Sequence, residues 1–465
     1  MERKLDAKLI CSIFAAGLMS FSGVLIETAG NVTFPVLMSD FHVNMATVQW
    51  MTTGYLLVAS VIMPLSAYLK RNFSSKKLFV TAAMLFICGL LVDAVAKQFL
   101  FLVIGRVIQG AGAGIAIPLM FNIILERTPL DKLGLLMGIG TMITAVAPAL
   151  GPTFGGLVVN TLGWRYIFIF IIPVMIFSLI MGWLSITDTE KESVNTKLDA
   201  VGFLSIALAF IGLIFAFSNL STILQKPLMF ILPLAVGVIC LIIFIKHSLN
   251  TATPLINIRV FKNTKFTQGI TAYFIFQVNT IGLSFILPNY VQIVNHSTAM
   301  TAGLLLLTGG LVGAILSPIG GRLLDNYGSR KPIMTGSVFE VVGAILYSSF
   351  ATNLTSAKII LFYTITMIGT GLVMGDTMTA SIGNLSQSEN ADGNGLFNMA
   401  QQFAGAVGTA IVSAIMQFVE QMSRQNTITG KYIQAAQSGL IFILIIVLVG
   451  VYLLYQATKP MKAKE

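Results

Sequence analysis

Charged residues are unusually scarce in this chain. Only 10% of its 465 residues are Asp, Glu, Lys or Arg, and 56% are apolar, whereas soluble domains carry about 25% charged residues. Runs of about 20 apolar residues recur along the whole chain, and each is long enough to cross a hydrocarbon core about 30 Å thick as a helix. The sequence therefore predicts an all-α, polytopic membrane protein and leaves no room for a sizeable soluble domain.

Cysteine and histidine are also scarce, with three of each. Cys11, Cys88 and Cys240 fall at or within apolar runs without CxxC spacing, which predicts neither disulfides nor a metal site. The histidines lie in loops or at helix ends, where we expect them to be solvated. HExxH, GxSxG and GxxxxGK do not occur in the sequence, which disfavours a membrane-embedded enzyme and direct use of ATP.

The basic residues are distributed unevenly between the loops of fourteen predicted spans. If the N-terminus is cytoplasmic, the inner segments hold 21 Lys and Arg and the outer loops hold six, while Arg106 lies inside a span. Because cytoplasmic loops carry an excess of Lys and Arg, this asymmetry predicts a multi-pass protein of the cell membrane with both termini cytoplasmic. It also accounts for the net charge of +10 without a nucleic-acid partner.

An even number of spans, with a long basic loop before the ninth, suggests two six-helix halves and a central pair. The predicted division is an N-terminal bundle at 1–190, two additional central helices at 191–250 and a C-terminal bundle at 251–465. The halves echo each other weakly, since a proline lies near the predicted outer end of the first and ninth spans and a basic loop follows the second and tenth. Internal repeats of this kind are typical of transporters.

Three stretches carry distinctive patterns. The first, GRLLDNYGSRK at 321–331, has Gly321 and Gly328 where tight turns or close approach are needed. Its Asp325 can accept hydrogen bonds from backbone N–H groups at a helix start and pair with Arg330. The corresponding loop of the first half, YLKRNFSSKK, departs from this pattern because Arg71 stands where the acid is expected.

The second stretch is LVIGRVIQGAGAG at 102–114. Arg106 lies well inside a predicted span, too far from its ends to reach water comfortably, and therefore needs an anionic partner. Gln109 follows one turn later. The glycines at 110, 112 and 114 predict a close contact with a neighbouring helix.

The third stretch is APALGPTFGG at 147–156. Pro148 and Pro152 remove backbone donors and bend the helix. Gly151, Gly155 and Gly156 remove side-chain bulk, so that a neighbouring helix can approach and slide.

Together these patterns resemble the drug:proton antiporter branch of the major facilitator superfamily, over nearly the whole chain. The resemblance implies fourteen helices, arranged as two six-helix bundles plus two central helices. It implies export of small lipophilic, cationic drugs by alternating access, powered by the proton motive force without a cofactor. Protons and membrane lipids would be its other partners, and the monomer would be functional. It also implies that 147–156 is the helix-5 signature of antiporters and that 321–331 is a conformational loop.

The stretch ETAGN at 27–31 resembles the acidic and polar cluster in helix 1 of this branch. A carboxylate at a bilayer centre costs about 2.5–3.5 kcal/mol on insertion scales. Glu27 and Arg106 lie at similar predicted depths, so we expect them to be in contact. They form either a fixed structural ion pair or a site where the carboxylate alternately meets Arg106, a proton and a cationic substrate. Asn31 belongs to the same expected site.

Three more acids lie in or near predicted spans. Glu340 falls close to mid-membrane, where an unpaired carboxylate is expected to be protonated or functional, and it is the predicted second proton or cation site. Asp376 and Asp93 lie near span ends, so each is either solvated or part of the titrating set. The main competing hypothesis keeps the fold but changes the cargo to an anionic metabolite or lipid, which a cavity dominated by Arg106 would favour.

Overall fold

The structure is a computed structural model that describes residues 5–31, 33–43, 45–48, 50–187, 198–220, 223, 226–425 and 427–459. Within these ranges the chain is helical and has no strand. The α-helices are α1 Ala7–Asn31, α2 Phe34–Phe41, α3 Met45–Val48, α4 Trp50–Ile62, α5 Ser66–Asn72, α6 Ser75–Ala94, α7 Phe99–Arg127, α8 Leu133–Thr161, α9 Arg165–Ser185, α10 Ala200–Ser218, α11 Pro227–Asn250, α12 Thr264–Ile293, α13 Ala299–Tyr327, α14 Arg330–Phe350, α15 Ser356–Ile382, α16 Asn390–Met422 and α17 Ile428–Ala457.

The fourteen predicted spans are confirmed within the described residues, where fourteen helical segments are long and apolar enough to cross a membrane. One of them is composite. The helices α4 and α5 are joined by a 3-10 turn at Met63–Leu65 and together form the segment Trp50–Asn72. Pro64 lies in that turn and lacks a backbone N–H, which explains why the regular helix is interrupted there.

The proline near the predicted outer end of the first span does not belong to that helix. The helix α1 ends at Asn31, and Pro35 lies in the first turn of the separate helix α2. Proline is favoured at this place because the first N–H groups of a helix have no intrahelical partner.

The chain forms two compact units. The first contains residues 1–130, 143–203 and 251–257, and the second contains 131–142, 204–250 and 258–465. Thus α8 and α10 each contribute residues to both units. The division at 1–190, 191–250 and 251–465 stays a prediction.

In the first unit, α7 packs closely against α4 and α6 through the predicted glycine contact. A Cβ at Gly110 would lie 2.5 Å from the carbonyl oxygen of Tyr55, and one at Gly112 would lie 2.7 Å from that of Ala82. Both distances are too short for any side chain. The glycines therefore bring the backbones of α4 and α6 against the turn of α7 that carries Arg106.

In the second unit, α14 packs along α15 in the same way. A Cβ at Gly336 or Gly369 would lie within 3 Å of the other helix, because the carbonyl oxygens of Gly369 and Gly336 face each other's Cα. This close approach brings Glu340, one turn after Gly336, directly against α15.

Candidate functional site

In the first unit, polar residues from α1, α4, α6 and α7 form one cluster around Arg106. The Arg106 cluster comprises Glu27, Tyr55, Asp93, Arg106 and Gln109. Arg106 is completely buried in α7. Its Nε donates to the carbonyl oxygen of Met51 (3.2 Å), and its guanidinium lies over the ring of Tyr55, 4.4 Å from the centroid. The ring face attracts the cation and excludes water from it.

Gln109 connects Arg106 to a carboxylate. Arg106 Nη1 donates to Gln109 Oε1 (2.7 Å), and Gln109 Nε2 donates to Asp93 Oδ2 (2.7 Å). Because Arg106 and Gln109 are three residues apart on α7, their side chains share one face of the helix. The amide therefore links the buried cation to a buried anion, and the anionic partner predicted for Arg106 is reached through a neutral bridge.

Asp93 is not a solvated residue at a span end. It lies in the last turn of α6, is fully buried, and its Oδ1 has no hydrogen-bond partner. Space for this carboxylate exists only because residue 105 of α7 is glycine, since a Cβ there would overlap Asp93 Oδ1. The sequence signal for the burial of Asp93 was the glycine one residue before Arg106. Using this signal requires knowing that α6 packs against α7.

Glu27 lies near the Arg106 cluster's cation without a direct bond to it. Within the described residues its carboxylate forms no hydrogen bond or salt bridge, and it interacts electrostatically with Arg106 and Tyr55. Tyr55 lies against α1 as well as Arg106, because its hydroxyl lies 3.1 Å from where a Cβ of Gly23 would stand, one turn before Glu27. The expected direct contact of Glu27 with Arg106 is not observed, and the two residues interact electrostatically instead.

The stretch 147–156, which lies in α8, packs against the segment of α1 that carries Glu27. A Cβ at Gly151 would overlap Thr28 Oγ1, and one at Gly155 would lie 2.7 Å from the carbonyl oxygen of Ala29. Two of the predicted stretches therefore meet, since the glycines of α8 form the surface on which Thr28 and Ala29 lie.

The remaining residues of these two stretches behave differently. Pro148 is exposed, and a Cβ at Gly156 would have nothing within 4 Å, so Gly156 does not serve the contact with α1. The side chains of Pro152 and Asn31 lie outside the described part of the chain.

In the second unit, the Glu340 cluster comprises Asn279, Glu340 and Thr370. Glu340 is fully buried in α14. Its Oε2 accepts from Asn279 Nδ2 of α12 (2.7 Å), and its Oε1 accepts from Thr370 Oγ1 of α15 (2.6 Å). No basic residue of the described chain pairs with it. Both carboxylate oxygens are thus held by neutral donors, which leaves the charge itself uncompensated.

Asp376 is likewise buried, with 1% of its surface exposed, so the first of its two expected alternatives, a solvated side chain, is excluded. Its Oδ2 has no hydrogen-bond partner and lies 3.3 Å from where a Cβ of Gly320 would stand. Asp376 also interacts electrostatically with Asp325, one turn further along α13 from Gly320. It therefore faces α13 and a second carboxylate.

Asp325 occupies a helix start, as expected. Its Oδ1 accepts from the backbone N–H of Gly134 (2.7 Å) and its Oδ2 from that of Leu135 (2.9 Å), both in the first turn of α8. A carboxylate at this position complements the partial positive charge of a helix N-terminus. Gly321 makes this approach possible, because a Cβ there would overlap the carbonyl oxygen of Gly134.

The other half of the loop prediction is corrected. Arg330 does not pair with Asp325; its guanidinium lies over the ring of Tyr455, 5.2 Å from the centroid. Both oxygens of Asp325 are already used by the start of α8. Gly328 has φ of +76°, so the tight turn predicted between α13 and α14 is present.

Arg71, which replaces the acid in the first-half loop, has a different function in the fold. Its Nη2 donates to the carbonyl oxygens of Pro254 (3.0 Å) and Leu255 (2.8 Å). The backbone N–H of Leu255 donates to Asp199 Oδ2 (3.2 Å). These bonds hold the segment 251–257 within the first unit.

Comparison with known proteins agrees with this architecture. The family model described as Major Facilitator Superfamily matches residues 11–409. The chain is 34% identical over 411 residues to the lincomycin resistance protein LmrB of Bacillus subtilis, covering 88% of this chain and 85% of that protein. It is 30% identical over 469 residues to the MFS-type transporter YcnB of the same organism, covering 100% and 98%. It is 27% identical over 447 residues to the multidrug export protein EmrB of Haemophilus influenzae, covering 93% and 87%.

Among solved structures, the human organic anion transporter MFSD10 (TETRAN) is similar, with a TM-score of 0.68 and 13% sequence identity. The match covers 97% of this chain and 100% of that chain, and at this identity it concerns the fold alone. The family match over most of the chain, the fourteen membrane helices and this fold agree. The chain belongs to the major facilitator superfamily, and it is a membrane transporter rather than an enzyme.

Proposed function

We propose that this transporter exports small lipophilic cations in exchange for protons, by alternating access. Relatives named for lincomycin resistance, multidrug resistance and multidrug export support drug efflux as the activity. The proton motive force would supply the energy, and no cofactor would be needed. We place the protein in the cell membrane, with both termini cytoplasmic, surrounded by lipids and functional as a monomer.

The observation that carries the proposal is the state of Glu340. This carboxylate is fully buried, accepts hydrogen bonds from neutral groups, and has no basic partner in the described chain. A carboxylate whose charge is uncompensated can be neutralised by a proton or by a cationic substrate, and it cannot hold both. Competition for one carboxylate is what exchange requires.

Glu27, in the Arg106 cluster, is also a carboxylate that a proton or a cationic substrate could neutralise. Asp93 supplies negative charge to Arg106 through Gln109. Glu27 is therefore not needed as the neutralising partner of Arg106, and its carboxylate is free to exchange a proton for substrate. On this reasoning, Asp93 and Gln109 position Arg106. Glu27 and Glu340 couple proton movement to substrate movement, and Asp376 is a further acid beside the transport path.

The energetics of the cycle follow from the number of acids that titrate. We propose that Glu27 and Glu340 take up protons when the site is open outward and release them when it is open inward. A difference of one pH unit supplies about 1.4 kcal/mol per proton. Each net positive charge moved inward across 100 mV supplies a further ~2.3 kcal/mol. Two titrating acids make exchange for a monovalent cation electrogenic, whereas one acid makes it electroneutral.

The glycine and loop stretches would serve the conformational change. We assign the sliding surface for α1 to Gly151 and Gly155, with Pro148 and Pro152 bending α8 nearby. Asp325 would hold the first turn of α8 in one state and release it in another, assisted by the small residue Gly321 and the turn at Gly328. Arg330 would keep its side chain over the ring of Tyr455, so that both carboxylate oxygens of Asp325 stay bonded to the first turn of α8.

The proposal is tested in proteoliposomes that contain the purified full-length protein. An imposed pH gradient, acid inside, should drive uptake of ethidium, and lincomycin is the second compound because relatives are named for it. Collapse of the gradient with a protonophore should abolish uptake. Empty vesicles report passive leak. If the rate of uptake of both compounds is the same with and without the pH gradient, proton coupling is contradicted.

One observation favours an anionic cargo instead. Arg106 Nη2 is buried and has no hydrogen-bond acceptor among the residues that the structure describes, so a substrate carboxylate or phosphate could accept from it. In that case the same vesicles would accumulate an organic anion such as benzoate derivatives, and Arg106→Gln would abolish its transport. Ethidium uptake would then be absent.

A further inference from the structure

A polar cleft of about 220 Å³ lies in the second unit, away from the Glu340 cluster. It is formed by the first turns of α12 and α14 and the last turns of α15 and α17. The residues that line it are Lys265, Gly269, Ser329, Ile333, Thr377, Ala380, Ser381, Asn384, Leu454, Ala457, Thr458 and Lys459.

Among the described residues, the charged side chains that line the cleft are both basic. They are Lys265 and Lys459, and no carboxylate of the described chain lines the cleft. Neither lysine forms a salt bridge within the described part of the chain. Asp376 precedes a lining residue on α15 but faces Gly320 of α13 instead. Two lysines, the half-buried Lys265 and the exposed Lys459, therefore line one cleft without a carboxylate beside them in the described chain.

One hydroxyl group of the cleft is satisfied, because Thr458 Oγ1 donates to the carbonyl oxygen of Leu454 (2.8 Å). Thr377 differs, since it is 1% exposed and its Oγ1 has no hydrogen-bond partner among the described residues. Ser381 is 4% exposed, and its Oγ lies over Gly269, where any Cβ would overlap it. Ser329 precedes α14 but does not cap it with its side chain. Buried polar groups without partners are rare in proteins, so the unpartnered hydroxyl of Thr377 points to a ligand or ordered water in the cleft.

The helix ends alone do not decide which ligand fits. The N-termini of α12 and α14 contribute partial positive charge, and the C-termini of α15 and α17 contribute partial negative charge of similar size. Because these contributions largely offset each other, the two lysines set the sign of the potential. The cleft thus combines the positive charge of two lysines with the hydroxyl groups of Ser329, Thr377 and Ser381.

We propose that this cleft binds a phosphate-bearing anion, either the headgroup of an anionic phospholipid or a soluble phosphate ester. Phosphate oxygens accept strongly from ammonium and hydroxyl groups. Both lysines lie on the side predicted to be cytoplasmic, and basic pockets between membrane helices on that side suit anionic headgroups. The proposal does not rest on the proposed transport activity, because it concerns different residues and is measured by binding.

The test measures thermal unfolding of the full-length protein in a zwitterionic detergent by tryptophan fluorescence. Short-chain phosphatidylglycerol, phosphatidylcholine of the same chain length and inorganic phosphate are titrated separately. The parent is compared with Lys265→Gln, Lys459→Gln and the double variant, and with Thr377→Val. Lys262→Gln is the matched control, because Lys262 is exposed, three residues from Lys265, and does not line the cleft.

Phosphatidylglycerol should raise the Tm of the parent and of Lys262→Gln, while phosphatidylcholine should not. Each single lysine variant should weaken the apparent affinity about fivefold and the double variant roughly 30-fold, since a basic residue near an anionic headgroup contributes about 1 kcal/mol. A shift with phosphate as large as that with the lipid would identify a soluble phosphate ester as the source. The proposal fails if no anion shifts the Tm, if phosphatidylcholine is equally effective, or if the double variant responds like the parent.

Discussion

Gln109→Met is the sharpest test of the Arg106 cluster, because it removes one amide and keeps nearly the same volume. The parent amide makes two hydrogen bonds of 2.7 Å, one to each of two completely buried charged groups. A hydrogen bond to a charged group contributes about 1.5–3 kcal/mol. Interhelical bonds measured in membranes average only about 0.6 kcal/mol, because the unfolded chain in lipid also finds partners. We therefore expect a loss of about 2–4 kcal/mol in unfolding free energy.

The assay is equilibrium unfolding in mixed detergent micelles, with a double-mutant cycle. Asp93→Asn already removes the charge that Gln109 solvates, so the double variant should lose at least about 1 kcal/mol less than the sum of the single losses. Gln277→Met is the matched control, because the half-buried side chain of Gln277 makes no hydrogen bond within the described chain. The reasoning is refuted if Gln109→Met unfolds like the Gln277 control, or if the two losses simply add.

Two other contacts give testable outcomes. Gly321→Ala should destabilise by about 1–3 kcal/mol, because its methyl group would overlap the carbonyl oxygen of Gly134 and the backbones must separate. Gly156→Ala, which has nothing within 4 Å, should leave the Tm unchanged or slightly raised, and equal effects of the two in a thermal unfolding assay would count against this packing. Arg71→Gln should increase hydrogen–deuterium exchange across 251–257, since two carbonyl groups lose their charged donor. Unchanged exchange in this segment would show that Arg71 does not hold it.

The membrane architecture could be predicted from the sequence because a helix must present about 20 apolar residues to the bilayer. The same rule explains which helical residues hydropathy does not detect. The helix α17 begins at Ile428, and its first turns are polar, so they carry no hydropathy signal. The helix α2 was missed because eight residues are too few to produce a periodic pattern.

The candidate site could be predicted only in part. Glu340 and Arg106 stand out because charge is costly inside an apolar helix. Asp93 does not stand out, since it lies at a helix end where water is normally available, and only the contact of α6 with Gly105 buries it. The pairing of Asp325 with Arg330 was wrong because sequence spacing cannot reveal that the start of α8 occupies both carboxylate oxygens.

The measurement that tests the account most directly is the number of protons released per ethidium molecule in proteoliposomes. It is made for the parent, for Glu27→Gln and for Glu340→Gln, with Glu389→Gln as the control because Glu389 bonds only to nearby loop residues. The account predicts more than one proton per ethidium for the parent and the control, and fewer for each of the two buried-acid variants at equal folding. Proton counts in Glu27→Gln and Glu340→Gln that equal the parent value, or no proton release at all, would contradict it.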